Sequence, residues 1–468
     1  MTELRRLARQ QSQLLLPVLL FLGTFSVYAL TTEREAVNTD AYAASAGAWR
    51  IATAGTPWFD GLDVEQIDGT HTDFDGGNSN GQWLSPSANG HVTAQRMPGP
   101  ILAGVPFYWV LAEGATEADF SLLPGGLAAS ALSAGAVTLM FLALRTRTSL
   151  RLASAGALAF AFATPTWTVS ANGLWTHPVT QLGIVGAAYA SARNRWWWAG
   201  LALGVAMWGR PHVALIAAVL GLGVAWSRRR WQIALGVALP TVASLGGLAI
   251  WNRVVHGKWS VGGAYTDAVI ERAATGAGAE LGQEQLLNYL GFLVSADRGF
   301  LVWTPVVAIL LPALFRARRS LPDWAVFLLL GGVVYTFFQL RLNHFAGGVG
   351  FYGYRHGLEL LAAMTPALVL AVPYAGRLAR ALLPPVLALQ AAGMLIGAAI
   401  EGLFVDLTDV WTDNSLWLGL REAPLLIGTI LVIAVAAALL VAHRILPQLA
   451  PSSSSSAIPE RAQSGIAE

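Results

Sequence analysis

The chain contains no cysteine, one lysine (Lys258) and only 12% charged residues over its 468 positions. The lack of cysteine excludes a disulfide framework, a thiolate metal site and a cysteine nucleophile. The shortage of charge excludes more. Soluble domains carry about 25% Asp, Glu, Lys and Arg, whereas here 55% of the residues are hydrophobic and the mean hydropathy is +0.53. Stretches such as 232–251, 302–315 and 425–442 hold no ionisable group, and similar stretches recur along nearly the whole length. A water-soluble enzyme, a nucleic-acid-binding protein and a disordered scaffold are ruled out. The pattern is that of an all-α polytopic membrane protein, because a helix satisfies its own backbone in lipid.

A bilayer core needs about 20 apolar residues per helix. Twelve spans are read, at 13–31, 122–144, 152–166, 178–192, 196–209, 211–226, 232–251, 300–315, 323–342, 358–374, 382–400 and 423–443. The pair 196–209 and 211–226 is short and pinched around Arg210. Arginine clusters test the count, since short cytoplasmic loops are rich in Lys and Arg. With twelve crossings, the clusters at 5–9, 145–151, 193–195, 228–230, 316–319, 377–380 and Arg444 all fall on the side of the N-terminus. That side holds 18 basic and 4 acidic residues, and the other holds 11 and 23. Both termini are therefore expected in the cytoplasm of a cell-membrane protein. The agreement requires that the apolar segment 98–112, with its three prolines, lie at the interface rather than cross. The expected organisation is a cytoplasmic N-terminus 1–12, a membrane domain 13–443 with an extracytoplasmic loop 32–121, and a disordered Ser-rich cytoplasmic tail 444–468.

Polar material gathers on the outer side. Seven of the eight histidines fall there, including His177, His344 and His356, and Arg96, Arg210, Arg298, Arg341 and Arg355 lie near outer ends of spans. The span centres are nearly free of ionisable groups, unlike the relays of ion-coupled carriers. The first outer loop carries Glu35 and Asp40, then an Ala-rich surface helix from Ala41 to Ala54. A turn-forming Asp/Gly/Asn stretch follows, and then the apolar non-crossing segment.

This order of elements resembles the C-class (GT-C) membrane glycosyltransferases, which include aminoarabinose transferases and protein O-mannosyltransferases. Asp40-Ala41-Tyr42 stands where their catalytic acid stands, just past helix one. Arg96-Met97-Pro98-Gly99-Pro100-Ile101-Leu102 and Pro106-Phe107-Tyr108-Trp109 look like their second juxtamembrane element. Gly173-Leu174-Trp175-Thr176-His177, Gly209-Arg210-Pro211, Ser295-Ala296-Asp297-Arg298-Gly299 and Gly353-Tyr354-Arg355-His356 are similar to patterns in bacterial members. The resemblance spans about the first 370 residues, and the order of its short motifs is its better signal. It departs at Ala41, where mannosyltransferases place a second acid, so Glu35 rivals Asp40 as the base.

The resemblance implies an inverting glycosyltransferase that takes a sugar from a polyprenyl-phosphate donor and passes it to a hydroxyl of a glycan, lipid or protein acceptor on the extracytoplasmic face. Asp40 or Glu35 would take the acceptor's proton. Arg355, Arg298 and Arg210, with His356, His177 and His344, would hold the departing lipid phosphate, since a guanidinium binds phosphate oxygens bidentately. Tyr42, Arg96, Tyr352 and Tyr354 would line the substrate groove. The partners are the lipid-linked donor, its acceptor and membrane lipids, with no nucleic acid and no cofactor.

Plainer readings stand beside these. Asp40 also suits the cap of a helix starting at Ala41, and Arg355 can pair with Glu359 four residues on. The segment from Asp73 to Asn80 has oxygens at alternate positions, but Leu84 stands where a calcium loop closes with Glu. A lipid or polysaccharide transporter or flippase, and an O-antigen-ligase-like transferase using a diphosphate-linked donor, are the alternative functions. No internal repeat of the kind common in carriers is found.

Overall fold

The computed structural model describes residues 2–32, 39–63, 84–262 and 283–445. Glu35, the stretch Asp73–Asn80 and the tail beyond 445 lie outside the described residues. Among the described residues the chain is helical throughout, apart from one antiparallel ribbon of β1 (Leu84–Pro86) and β2 (Val92–Ala94). The architecture is that of an all-α polytopic membrane protein. Each of the twelve expected spans coincides with helix, with ends shifted by a turn or more in places. Among the described residues, five helices are long and apolar enough to cross a bilayer unaided, and six further apolar helices are shorter.

After α1 (Thr2–Leu30) the chain enters a juxtamembrane unit. It consists of α2 (Thr39–Ala54), the ribbon and α3 (Pro98–Leu111). Proline at the first position of α3 suits a helix start, where no N–H partner is needed. Fourteen residues rise about 21 Å, short of the ~30 Å hydrocarbon core. One face of α3 (Pro98, Ile101, Gly104, Tyr108) packs on α2, and Trp109 and Val110 at its far end are exposed. The unit has its own core of Tyr42, Trp49, Phe59, Ile101 and Tyr108, separate from that of the main bundle. The Trp49 indole donates to the Gly114 carbonyl (3.0 Å) and the Tyr108 hydroxyl to that of Ser121 (2.7 Å). Gly99 ties the unit to the bundle: a side chain there would meet the Trp208 carbonyl at 2.7 Å.

The main bundle is α4 (Leu123–Arg145), α5 (Leu150–Phe162), α6 (Thr176–Ala192), α7 (Trp196–Gly209), α8 (Ala214–Arg228), α9 (Trp231–His256), α10 (Gln283–Val294), α11 (Val306–Ala317), α12 (Asp323–Leu342), α13 (Leu358–Ala371), α14 (Arg377–Ala399), α15 (Ser415–Glu422) and α16 (Pro424–Ile445). Nearly every residue of α13 is buried, as expected of a helix apolar all round and placed at the centre. Several spans are broken where the site lies. Helix α7 stops at Arg210, and α8 resumes after a short 3-10 turn over Pro211–Val213. A π turn, Thr166–Ser170, follows Pro165, and Pro305 splits the expected span 300–315 into a single turn and α11. Broken backbone inside protein needs side-chain partners. Gln390 serves two breaks at once, donating to the Ala163 carbonyl (2.7 Å) and accepting from the Val306 N–H (3.1 Å).

Candidate active site

Helix α2 begins two residues earlier than the expected Ala41, at Thr39, so Asp40 sits in its first turn. The Asp40 carboxylate is held by two arginines, one on each oxygen. Arg96 Nη2 lies 2.7 Å from Oδ1, and Arg355 Nη1 lies 2.6 Å from Oδ2. The Asp40 side chain stays 34% exposed, so the pair of ion bonds is not sealed off. Burial pushes this carboxyl up, but Arg96 and Arg355, with a smaller pull from Arg210, outweigh it and hold it well below the ordinary range. Arg96 is braced by a bond from Nη1 to the Gln95 carbonyl (2.8 Å). Arg355 lies over the faces of Trp175 and Phe351, at 5.3 and 5.6 Å.

Deeper in the bundle a second acid is fully buried. Glu359, in the first turn of α13, accepts from His177 Nδ1 (2.8 Å) and Thr180 Oγ1 (2.7 Å), with Arg210 Nε at 3.6 Å. This corrects the expected pairing of Glu359 with Arg355: the four-residue spacing requires one helix, but α13 begins at Leu358 and Arg355 belongs to the loop before it. The hydrogen bonds assign the His177 tautomer. Arg210 Nη2 lies 3.2 Å from His177 Nε2 and can only donate, so Nε2 accepts and Nδ1 carries the proton given to Glu359. Arg210 also donates to Thr176 Oγ1 (3.0 Å).

A parallel chain runs from His212 Nε2 to Gln339 Oε1 (2.6 Å), and from Gln339 Nε2 to His356 Nδ1 (3.1 Å). His356 Nε2 must then carry its proton, and that N–H is buried without a partner. Burial, with Arg355 and Arg210 nearby, holds this imidazole well below its ordinary pKa and thus neutral. The Nε atoms of Arg355 and Arg96 and the Glu359 Oε2 are likewise buried without hydrogen-bond partners. So many orphaned donors beside one carboxylate describe a place prepared for a polar or anionic guest.

A glycine loop covers this place. Gly347, Gly348, Gly350 and Gly353 all take left-handed backbone angles. At Gly347 (φ +71°) a side chain would lie 2.9 Å from Arg355 Nε and 3.0 Å from His356 Nε2. Only glycine lets the backbone pass this close.

Sequence-derived candidates thus divide. Asp40, Arg96 and Arg355 meet directly, and Arg210, His177 and His356 form the buried layer behind them. Arg298 is buried, with Nη1 bonded to the Phe351 and Gly353 carbonyls (both 2.8 Å) and to Asp297 (3.1 Å). It pins the loop that carries Arg355. Tyr352 and Tyr354 are buried against Trp303 and Phe300, and Tyr42 against Phe120. His344 is exposed and accepts a turn N–H from Ala346 (3.3 Å). Sequence reasoning missed Glu359 as a centre, along with Gln339, His212 and Thr180. The signal was available: an acid beside a long apolar run is costly and rarely idle.

No family model matches the chain, and no curated protein matches it. Solved structures do. ArnT from Cupriavidus metallidurans bound to undecaprenyl phosphate aligns over 93% of this chain and 76% of its own, with a TM-score of 0.50 and 15% identity. The apo state of the same protein aligns over 94% and 74%, with a TM-score of 0.49 and 15% identity. The chain is similar in fold to ArnT. That likeness agrees with the resemblance to the C-class membrane glycosyltransferases, and it extends past residue 370 over nearly the whole chain. At this identity ArnT informs the architecture, and the chemistry rests on the side chains.

Proposed function

We propose that the protein is an inverting glycosyltransferase that moves a sugar from a polyprenyl phosphate to an acceptor hydroxyl at the extracytoplasmic face. Both termini and the arginine-rich loops then lie in the cytoplasm, and 32–121 forms the outer loop. The observation that carries this reading is the Asp40 carboxylate clamped by Arg96 and Arg355 beside buried, unpartnered N–H donors. The fold it sits in is similar to that of ArnT, which in one structure is bound to undecaprenyl phosphate.

The clamp supplies a mechanism. A carboxylate neutralised by two guanidiniums is a poor base. An arriving lipid phosphate competes for the same guanidiniums, and charge-assisted bonds to phosphate oxygens are strong. Arg355 and Arg96 turn from the carboxylate to the phosphate, with His356 Nε2–H as a further donor. Asp40, released, gains basicity and accepts the proton of the acceptor hydroxyl as its oxygen bonds to the anomeric carbon. The bond from that carbon to the phosphate oxygen breaks, and its electrons leave on the lipid phosphate, where the guanidiniums receive the charge. Arg210, tied to His177 and Glu359, adds a fixed positive charge behind the site.

The test is transfer itself. Purified protein is incubated with radiolabelled polyprenyl-phospho-mannose and polyprenyl-phospho-arabinose, and the label is followed from lipid to acceptor. Asp40→Asn should lower transfer by about 10²–10⁴-fold while leaving lipid binding intact. A variant keeping most of its transfer would remove Asp40 from the role, and no transfer of any label by the wild type would count against the reaction.

A further inference from the structure

At the opposite end of α6 and α7 from Asp40, the structure holds a groove of about 400 Å³ between the two helices. This falls within the ~300–1,000 Å³ common for ligand sites. Gly186 and Ala202 form its floor, where the helices come close enough that a side chain on Gly186 would lie 3.3 Å from the Ala202 methyl. Tyr189 and Trp198 form walls, and Arg193 and Arg195 stand at its mouth.

The mouth is rigid. The turn linking α6 to α7 places Asn194 in the left-handed region (φ 54°), a conformation that Asn tolerates. Backbone bonds from Asn194 N to the Ser191 carbonyl (2.9 Å) and from Arg195 N to the Ala190 carbonyl (2.8 Å) close it. Arg228 Nη1 donates to the Asn194 side chain (2.6 Å) and pins it from α8. Arg228 is itself neutralised by a bidentate bond to Asp323, at 2.6 and 2.7 Å. Arg193 and Arg195 are different: both are exposed, and neither side chain has a hydrogen-bond or ion partner among the described residues. No acid stands between 182 and 209. Two uncompensated guanidiniums thus flank an apolar slot on a membrane helix pair.

The geometry points to a binding site for an anionic glycerophospholipid, with its phosphate between Arg193 and Arg195 and an acyl chain along Gly186 and Ala202. Basic pockets between transmembrane helices take acidic lipid headgroups. Trp197 and Trp198, 55% and 57% exposed, set the interfacial depth at which that headgroup lies. A soluble anion meets the two arginines but gains nothing from the slot, so the occupant is the lipid. This site is separate from the proposed transfer reaction and stands or falls without it.

Native mass spectrometry of the full chain, released from nanodiscs of mixed phosphatidylglycerol and phosphatidylcholine, reads the site. The wild type should retain phosphatidylglycerol over phosphatidylcholine. Arg193→Glu with Arg195→Glu should lose that retention by about tenfold or more. Arg318→Glu with Arg319→Glu makes the same change of charge away from the groove and should leave it in place. Gly186→Leu, which fills the slot and keeps both arginines, should also weaken it. Equal loss in the two double variants would reduce the effect to general attraction and overturn the proposal. Indifference to Gly186→Leu, equal retention of the two lipids, or a second copy of the chain bound there would overturn it too.

Discussion

Asp40 and Glu359 are both carboxylates with cationic neighbours, yet their settings predict different behaviour. Asp40 is partly open, and its folded-state pKa is depressed by Arg96 and Arg355 against the opposing effect of burial. A depressed carboxyl contributes stability that is present above its unfolded pKa, near ~3.9, and that is lost as pH falls through the folded value. Wild type and Asp40→Asn should therefore differ in thermal midpoint at pH 7, and the gap should narrow as the solution is acidified below about pH 4. Thermal unfolding across pH checks this, and a gap unchanged down to pH 3 would contradict the clamp. Glu359 has no exposure at all. Glu359→Gln removes a buried negative charge that His177, Thr180 and Arg210 surround, which should cost about 3–5 kcal/mol of stability in unfolding measurements. A variant as stable as wild type would mean that the Glu359 charge is not needed inside the bundle. The two acids were not equally legible. Asp40 stood out by its place after helix one. Its partner Arg355 is 315 residues away, and no spacing rule links such a pair.

Among the elements, the glycine loop before α13 carries the sharpest expectation. Gly347→Ala forces a Cβ into a left-handed position and against Arg355 and His356. Gly402 has a similar backbone angle (φ +79°) but open space around it. Both alanine variants should lose about 1 kcal/mol to backbone strain. Only Gly347→Ala should also weaken binding of undecaprenyl phosphate, as read by titration of the purified protein. Equal binding by the two variants would detach the loop from the site. The helices themselves were legible as apolar runs. Their breaks at Pro165, Arg210 and Pro305 were less so, because a proline within a span marks a kink or an end equally well. Which broken ends converge is decided by packing between distant helices, as when Gln390 reaches both Ala163 and Val306.

Across the whole molecule, the Arg193–Arg195 turn and Arg210, which stands behind Asp40, lie at opposite ends of α6 and α7. The absence of cysteine makes the proposed orientation simple to measure, since any introduced thiol is unique. A cysteine at Ala88 should react with a membrane-impermeant maleimide on intact cells, and one at Ser320 only after permeabilisation. The reverse pattern would place the site in the cytoplasm and end the proposal. The helical membrane fold was readable from hydropathy because lipid demands that each span satisfy its own backbone.

The paired grip of Arg96 and Arg355 on one carboxylate also bears on the sequence of events in a catalytic cycle. If the same two side chains must leave Asp40 to receive the lipid phosphate, a free base exists only once that phosphate is in place. Donor must arrive before acceptor. Steady-state kinetics should then follow a compulsory order, with the donor binding first.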